Sequence, residues 1–147
     1  MSLVPQQSSY YAKAQSFYDS WNNRDVEVAI SHFADDVYFV DAQYSKPFNG
    51  RSEVKAYLQE CADSLPGRKF IIDDYAEDAQ RRKVGLKWHV SDTSGINLPF
   101  PTNGLSFLEF DESGLIVGCT DMVEPTVKTG VFQLPLLRFV SKVLRIN

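Results

Sequence analysis

The chain is poor in the residues that carry most metal and cofactor chemistry. Among 147 residues there are two Cys and two His, and neither they nor the carboxylates fall into metal-ligand spacing. A zinc or iron–sulfur centre is therefore not expected. There is no phosphate-cradling glycine loop and no nucleophile elbow, so no nucleotide site and no cofactor is expected either. Basic charge is also short. Lys and Arg number 15 against 19 Asp and Glu, giving a net charge of −4, which argues against a general nucleic-acid binder. No stretch approaches the roughly 18 apolar residues of a membrane span. Residues 1–9 lack the basic start and apolar run of a secretion signal, so Cys61 and Cys119 read as buried free thiols. The default location is the cytoplasm.

What the chain does have is apolar and aromatic side chains, 44% and 13% of its residues. That suits one domain with one core. Tyr10, Ala14, Phe17 and Trp21 recur at helical spacing. Asp25 is placed to cap a second helix that would bury Val26, Ala29, Ile30 and Phe33. A short strand over 37–40 and a turn-rich loop follow. Ser52 then reads as the cap of a third helix, with Val54, Tyr57, Leu58, Cys61 and Leu65 on one face and Pro66-Gly67 ending it.

The second half reads as strands. Residues 69–79 form one candidate. Val84, Leu86, Trp88 and Val90 alternate with polar residues in the next, which puts His89 on the opposite, outer face. Residues 105–110 and 115–123 are joined by Asp111-Glu112-Ser113-Gly114, a hairpin turn. Helices first and a four-stranded meander after give an α+β fold, with the helices on one face of the sheet.

The run Phe33-Ala34-Asp35-Asp36-Val37-Tyr38-Phe39-Val40-Asp41, followed by Pro47 and Gly50 before a helix, resembles the nuclear transport factor 2-like superfamily in its ketosteroid-isomerase/SnoaL-like branch. The resemblance covers residues 10–123, with 1–9 a flexible N-terminus and 124–147 an extension. It implies a cone-shaped barrel of a curved antiparallel sheet, three N-terminal helices on its concave face, and a cavity between them. In that alignment Asp41 falls on the catalytic base of ketosteroid isomerases. Their oxyanion-hole tyrosine is replaced by Phe17, and their protonated aspartic acid by Ser106. Tyr18 lies one helical step, about 100°, from Phe17.

Asp41, Asp121 and Ser106 are the candidate catalytic residues. Asp41 ends an apolar strand; an apolar wall favours a proton-accepting role, and the plain alternative is a turn cap. If Phe110 pairs with Leu115, Ser106 lies opposite Cys119, and alternation puts Leu108, Val117, Cys119 and Asp121 on the inward face with it. Asp121 is then a second acid/base, or else an exposed strand-end carboxylate. Phe17, Tyr18, Trp21, Phe39, Tyr57, Trp88, Leu108, Phe110 and Cys119 are the candidate ligand-binding residues.

Flat apolar walls suit an apolar polycyclic or isoprenoid-like small molecule. The reading is a binding domain with cofactor-free acid/base capacity. The alternatives are an isomerase, cyclase or lyase moving a proton at Asp41, and a non-catalytic dimeric interaction module. A homodimer through the outer sheet face is expected by analogy. In the extension, Pro135 opens an amphipathic helix whose Leu136, Phe139, Val140 and Val143 are expected to be buried on the domain or a partner subunit. Contact with an anionic membrane surface is the less favoured option.

Overall fold

The computed structural model describes residues 9–92, 102–124 and 133–144. Helix α1 (Tyr10–Asn22) is capped by the Ser9 hydroxyl, which accepts from the Ala12 amide. It buries Ala14, Phe17, Tyr18 and Trp21, the i, i+4, i+7 positions with one neighbour, so its apolar stripe is wide. Helix α2 (Val26–Ser31) starts at Asp25, whose carboxylate accepts from the Val28 amide at 3.0 Å. Strand β1 (Phe33–Asp41) is longer than its β-rich centre suggested. The two-residue β2 (Phe48–Asn49) follows, and α3 (Gly50–Ser64) begins two residues before the expected Ser52 cap. Gly50 takes φ +81° there, a conformation that disfavours any side chain.

Strands β3 (Arg68–Asp78), β4 (Lys83–Asp92), β5 (Asn103–Phe110) and β6 (Ile116–Val123) form the antiparallel meander. The sheet order is β2-β1-β6-β5-β4-β3. The two edge strands do not pair, so the curved sheet is a cone left open rather than a closed barrel. One pairing was not assigned from sequence: β1 adds to β6 in parallel. Helix α1 packs on β3 and β4, α3 on β1 and β2, and α2 bridges α1, α3 and β1.

The expected Phe110–Leu115 pairing is corrected. Phe110 pairs with Ile116, and an irregularity between Glu109 and Phe110 shifts the register so that Ser106 faces Asp121 and Leu108 faces Cys119. Inward parity survives for Ser106, Leu108, Cys119 and Asp121. Val117 loses it, and fully buried Ile116 takes the core position instead. In β5, Gly104 lies under the Trp88 ring: a Cβ there would sit 2.2 Å from its Cζ2.

The C-terminal helix α4 (Gln133–Leu144) forms as expected around Pro135. The expected burial does not hold for its described side chains. Phe139, Val140 and Val143 are 65%, 40% and 61% exposed, because no described element of the chain covers that face. The side chain of Leu136 lies outside the described residues. No described helix is long and apolar enough to cross a membrane.

Candidate functional site

Between the helices and the sheet lies a cavity of about 380 Å³, within the range of small-molecule pockets. Its wall is built from aromatics on different elements. Phe17, Tyr18 and Trp21 come from α1, Phe39 from β1, Tyr57 from α3, Phe70 from β3 and Trp88 from β4. Phe70 stacks edge-on against both Trp21 and Trp88, at 4.9 and 4.8 Å between ring centres. The Asn22 side chain holds α1 to this wall, donating to the Phe70 carbonyl and accepting from the Phe70 amide, each at 2.8 Å.

Two carboxylates open into this apolar space. Asp41 and Asp121 are register partners across the parallel β1–β6 pair, and both line the cavity. Asp41 is 5% exposed. Its Oδ1 accepts from the Gln43 amide at 2.8 Å and its Oδ2 from the Tyr57 hydroxyl at 2.7 Å. The turn-capping role and the cavity position therefore coexist in one residue.

Asp121 Oδ1 accepts from the Ser106 hydroxyl at 2.6 Å and, more weakly, from Cys119 Sγ at 3.5 Å. Asp121 is half-buried and lines the cavity. Burial pushes its pKa up to about 6, the Ser106 and Cys119 hydrogen bonds pull it down, and the neighbouring Asp41 charge raises it. Burial also raises Tyr18 and Tyr57 well above the usual phenol range, so both stay protonated.

Ser106 is itself buried and is the hub of this cluster. Besides donating to Asp121 it meets Trp88 Nε1 and the Tyr18 hydroxyl, each at 2.8 Å. Tyr18, one residue from the aligned Phe17, does reach the cavity. The wide buried stripe of α1 takes in both positions, so a 100° step does not carry Tyr18 to solvent.

Of the residues singled out from sequence, Asp41, Asp121, Phe17, Tyr18, Trp21, Phe39, Tyr57 and Trp88 line the cavity. Ser106 stands behind Tyr18 and Asp121. Leu108, Phe110 and Cys119 do not line it, a correction to their placement as ligand contacts. They point inward, but Leu108 and Phe110 belong to the packed core near the hairpin end, where Phe110 meets the Tyr10 ring at 5.2 Å. The sequence reading missed Gln43, Tyr44, Cys61, Arg68 and Thr102 as lining residues. Cys61 shared a helical face with Tyr57 in the sequence and could have been found by that spacing. Both cysteines are free. Among the described residues no group of His, Cys, Asp and Glu is arranged to hold a metal ion.

A six-stranded open curved sheet wrapped on helices is the fold of the nuclear transport factor 2-like superfamily. Residues 14–119 match the SnoaL-like domain, and the chain belongs to that family. AusH from Aspergillus nidulans superposes with a TM-score of 0.70 at 17% identity, over 84% of this chain and 89% of that one. A protein of unknown function with a cystatin-like fold from Methylobium petroleophilum PM1 gives 0.67 at 21% identity, covering 83% and 80%. TerC, co-crystallised with polyporic acid, gives 0.64 at 16% identity, covering 78% and 91%. At these identities the likeness is one of fold. A comparison with curated proteins finds no match.

Proposed function

We propose that the protein binds an apolar, ring-bearing small molecule in the cone cavity and moves a proton on it through the Asp41–Asp121 pair, without a cofactor. The observation that carries this reading is the placement of two carboxylates as register partners in a cavity whose wall carries seven aromatic rings from α1, β1, α3, β3 and β4. Their surroundings differ. Asp41 accepts two hydrogen bonds from neutral donors, which hold it in place as the base of the pair. Asp121 is held by burial near a pKa of 6, the setting of an acid able to give and retake a proton near neutral pH. Paired groups of this kind suit isomerisation, cyclisation or elimination beside a carbonyl. Co-crystallisation of TerC with polyporic acid supports small-molecule binding by a protein of this fold.

The test uses 2-acetylnaphthalene and 2-tetralone, apolar ring ketones with exchangeable C–H groups beside the carbonyl. Quenching of Trp21 and Trp88 fluorescence reads binding, and deuterium uptake in D₂O reads proton transfer. Enzyme-dependent uptake that Asp41→Asn removes while binding remains is the expected result. Binding with no uptake reduces the reading to a binding module, and absence of both sinks it.

A second proposal concerns assembly: the chain forms a homodimer through the outer face of the sheet. Leu105, Phe107 and Met122 are each at least 45% exposed there, and Leu105 and Met122 are register partners. Together they form a continuous apolar patch of the kind that seeks cover.

A further inference from the structure

The hydroxyl protons around the two aspartates can be counted, and the count limits what a ligand can find there. A serine hydroxyl has one proton and two lone pairs. Trp88 Nε1–H can only donate, so one lone pair of Ser106 is always taken. Ser106 gives its single proton to Asp121 Oδ1. The Tyr18 hydroxyl, 2.8 Å away, must then donate to the second lone pair, and its own proton is committed. Tyr57 has committed its proton to Asp41 Oδ2. On Asp121, Oδ1 receives both Ser106 and Cys119, while no hydrogen bond from a described residue reaches Oδ2.

We infer that Ser106 fixes the acidic proton of Asp121 on Oδ2, the oxygen left open to the cavity, so that the inner wall offers a ligand oxygen one O–H proton only. Tyr18 and Tyr57 line the same wall but meet a ligand as acceptors. Ser106 is thus a positioning residue, acting on the ligand through Asp121 and Tyr18. This rests on the binding reading above and gives the ligand class. With Asp121 protonated the site takes an acceptor, such as a ketone or quinone oxygen, beside the Asp41 carboxylate. With Asp121 ionised the oxygens of the inner wall are acceptors alone, and the site takes a donor, such as a phenol. The groups facing Asp121 are Asp41 from β1, Cys119 on its own strand, Tyr18 from α1, and Tyr57 and Cys61 from α3. Glu60 and Arg68 line the same cavity.

Two measurements on the full chain test this. The first needs no ligand: the carboxylic C=O stretch in infrared difference spectra between pH 5 and pH 8, assigned by its loss in Asp121→Asn. Oδ1 is the carbonyl oxygen if the inference holds, so Ser106→Ala should move the band to higher frequency. A band that stays in place overturns it. The second compares 2-acetylnaphthalene, an acceptor only, with 2-naphthol, a donor. In the wild type the ketone should bind about tenfold tighter at pH 5 than at pH 8, the worth of one hydrogen bond, and the naphthol preference should run the other way. Ser106→Ala releases the protons of Tyr18 and Trp88, so ketone binding at pH 8 should strengthen rather than weaken. A uniform loss of ketone affinity in that variant would mean a merely structural role and overturn the inference. If the band shifts as expected but neither probe binds at either pH, the binding reading fails and the proton placement stands.

Discussion

Asp41 and Asp121 sit side by side on adjacent parallel strands, each the other's register partner, with both carboxylates facing one cavity. Strand neighbours are about 4.8 Å apart at the backbone, so Asp121 feels the charge beside it. The Asp41 charge is among the influences that raise Asp121.

Asp41→Asn keeps the shape of the side chain and its bond from the Gln43 amide but cannot accept a substrate proton. Deuterium uptake by a bound ketone should fall by about 10²–10⁴-fold, with the dissociation constant within about threefold of wild type. Parallel loss of both quantities would assign Asp41 to structure alone.

Asp121 also makes stability depend on pH. Its folded pKa of about 6 lies above the ordinary value of 3.8, so the fold prefers the protonated form. The associated stability is fully present below about pH 4 and is lost as pH rises through 6. Asp121→Asn removes this dependence. Thermal melts of variant and wild type should agree near pH 4, and the variant should gain about 5 °C on the wild type by pH 8. A constant difference across that range would contradict the buried acid.

Leu105→Lys places a charge in the middle of the outer-face patch, beside Met122 and opposite Lys87. Light scattering at tens of micromolar should give twice the chain mass for the wild type and one chain mass for the variant. The exposed site should leave melting of the monomer within about 0.5 kcal/mol. A wild-type monomer refutes the homodimer.

Removing residues 125–147 takes away α4. Because the described side chains of its second half are exposed, the truncated domain should melt within about 2 °C of the full chain. A large drop would show that the helix is held by the domain or by a partner subunit.

The element order was legible because its signals are local. Asp25 capped where its side chain could reach an amide, and the alternation of Val84, Leu86 and Trp88 fixed the inward face of β4. Asp121 was legible through parity, which a two-residue error in hairpin pairing does not disturb. What local signals do not carry is long-range placement. The parallel meeting of β1 and β6 joins residues 80 positions apart. Inward parity also could not separate cavity wall from packed core, so Trp88 and Leu108 looked alike although only Trp88 lines the cavity. Tyr18 was named with Phe17 as a candidate ligand contact although the two lie about 100° apart, and the width of the buried stripe on α1 is what brings both to the cavity.

The bare backbone at Gly104 has a reach beyond its own strand. The Trp88 ring lies where a methyl group at position 104 would be, and the same ring is both a wall of the cavity and a donor to Ser106. A single added carbon would have to push the indole toward the ligand space or off its serine. The capacity of the chamber and the direction of its protons are thus governed jointly by a residue that never touches the contents. Among descendants of this chain, enlarging or re-aiming the site is open to changes around the rim, while position 104 stays closed to any side chain, because the Met122 carbonyl, 2.8 Å from where a Cβ would sit, bars it alongside Trp88.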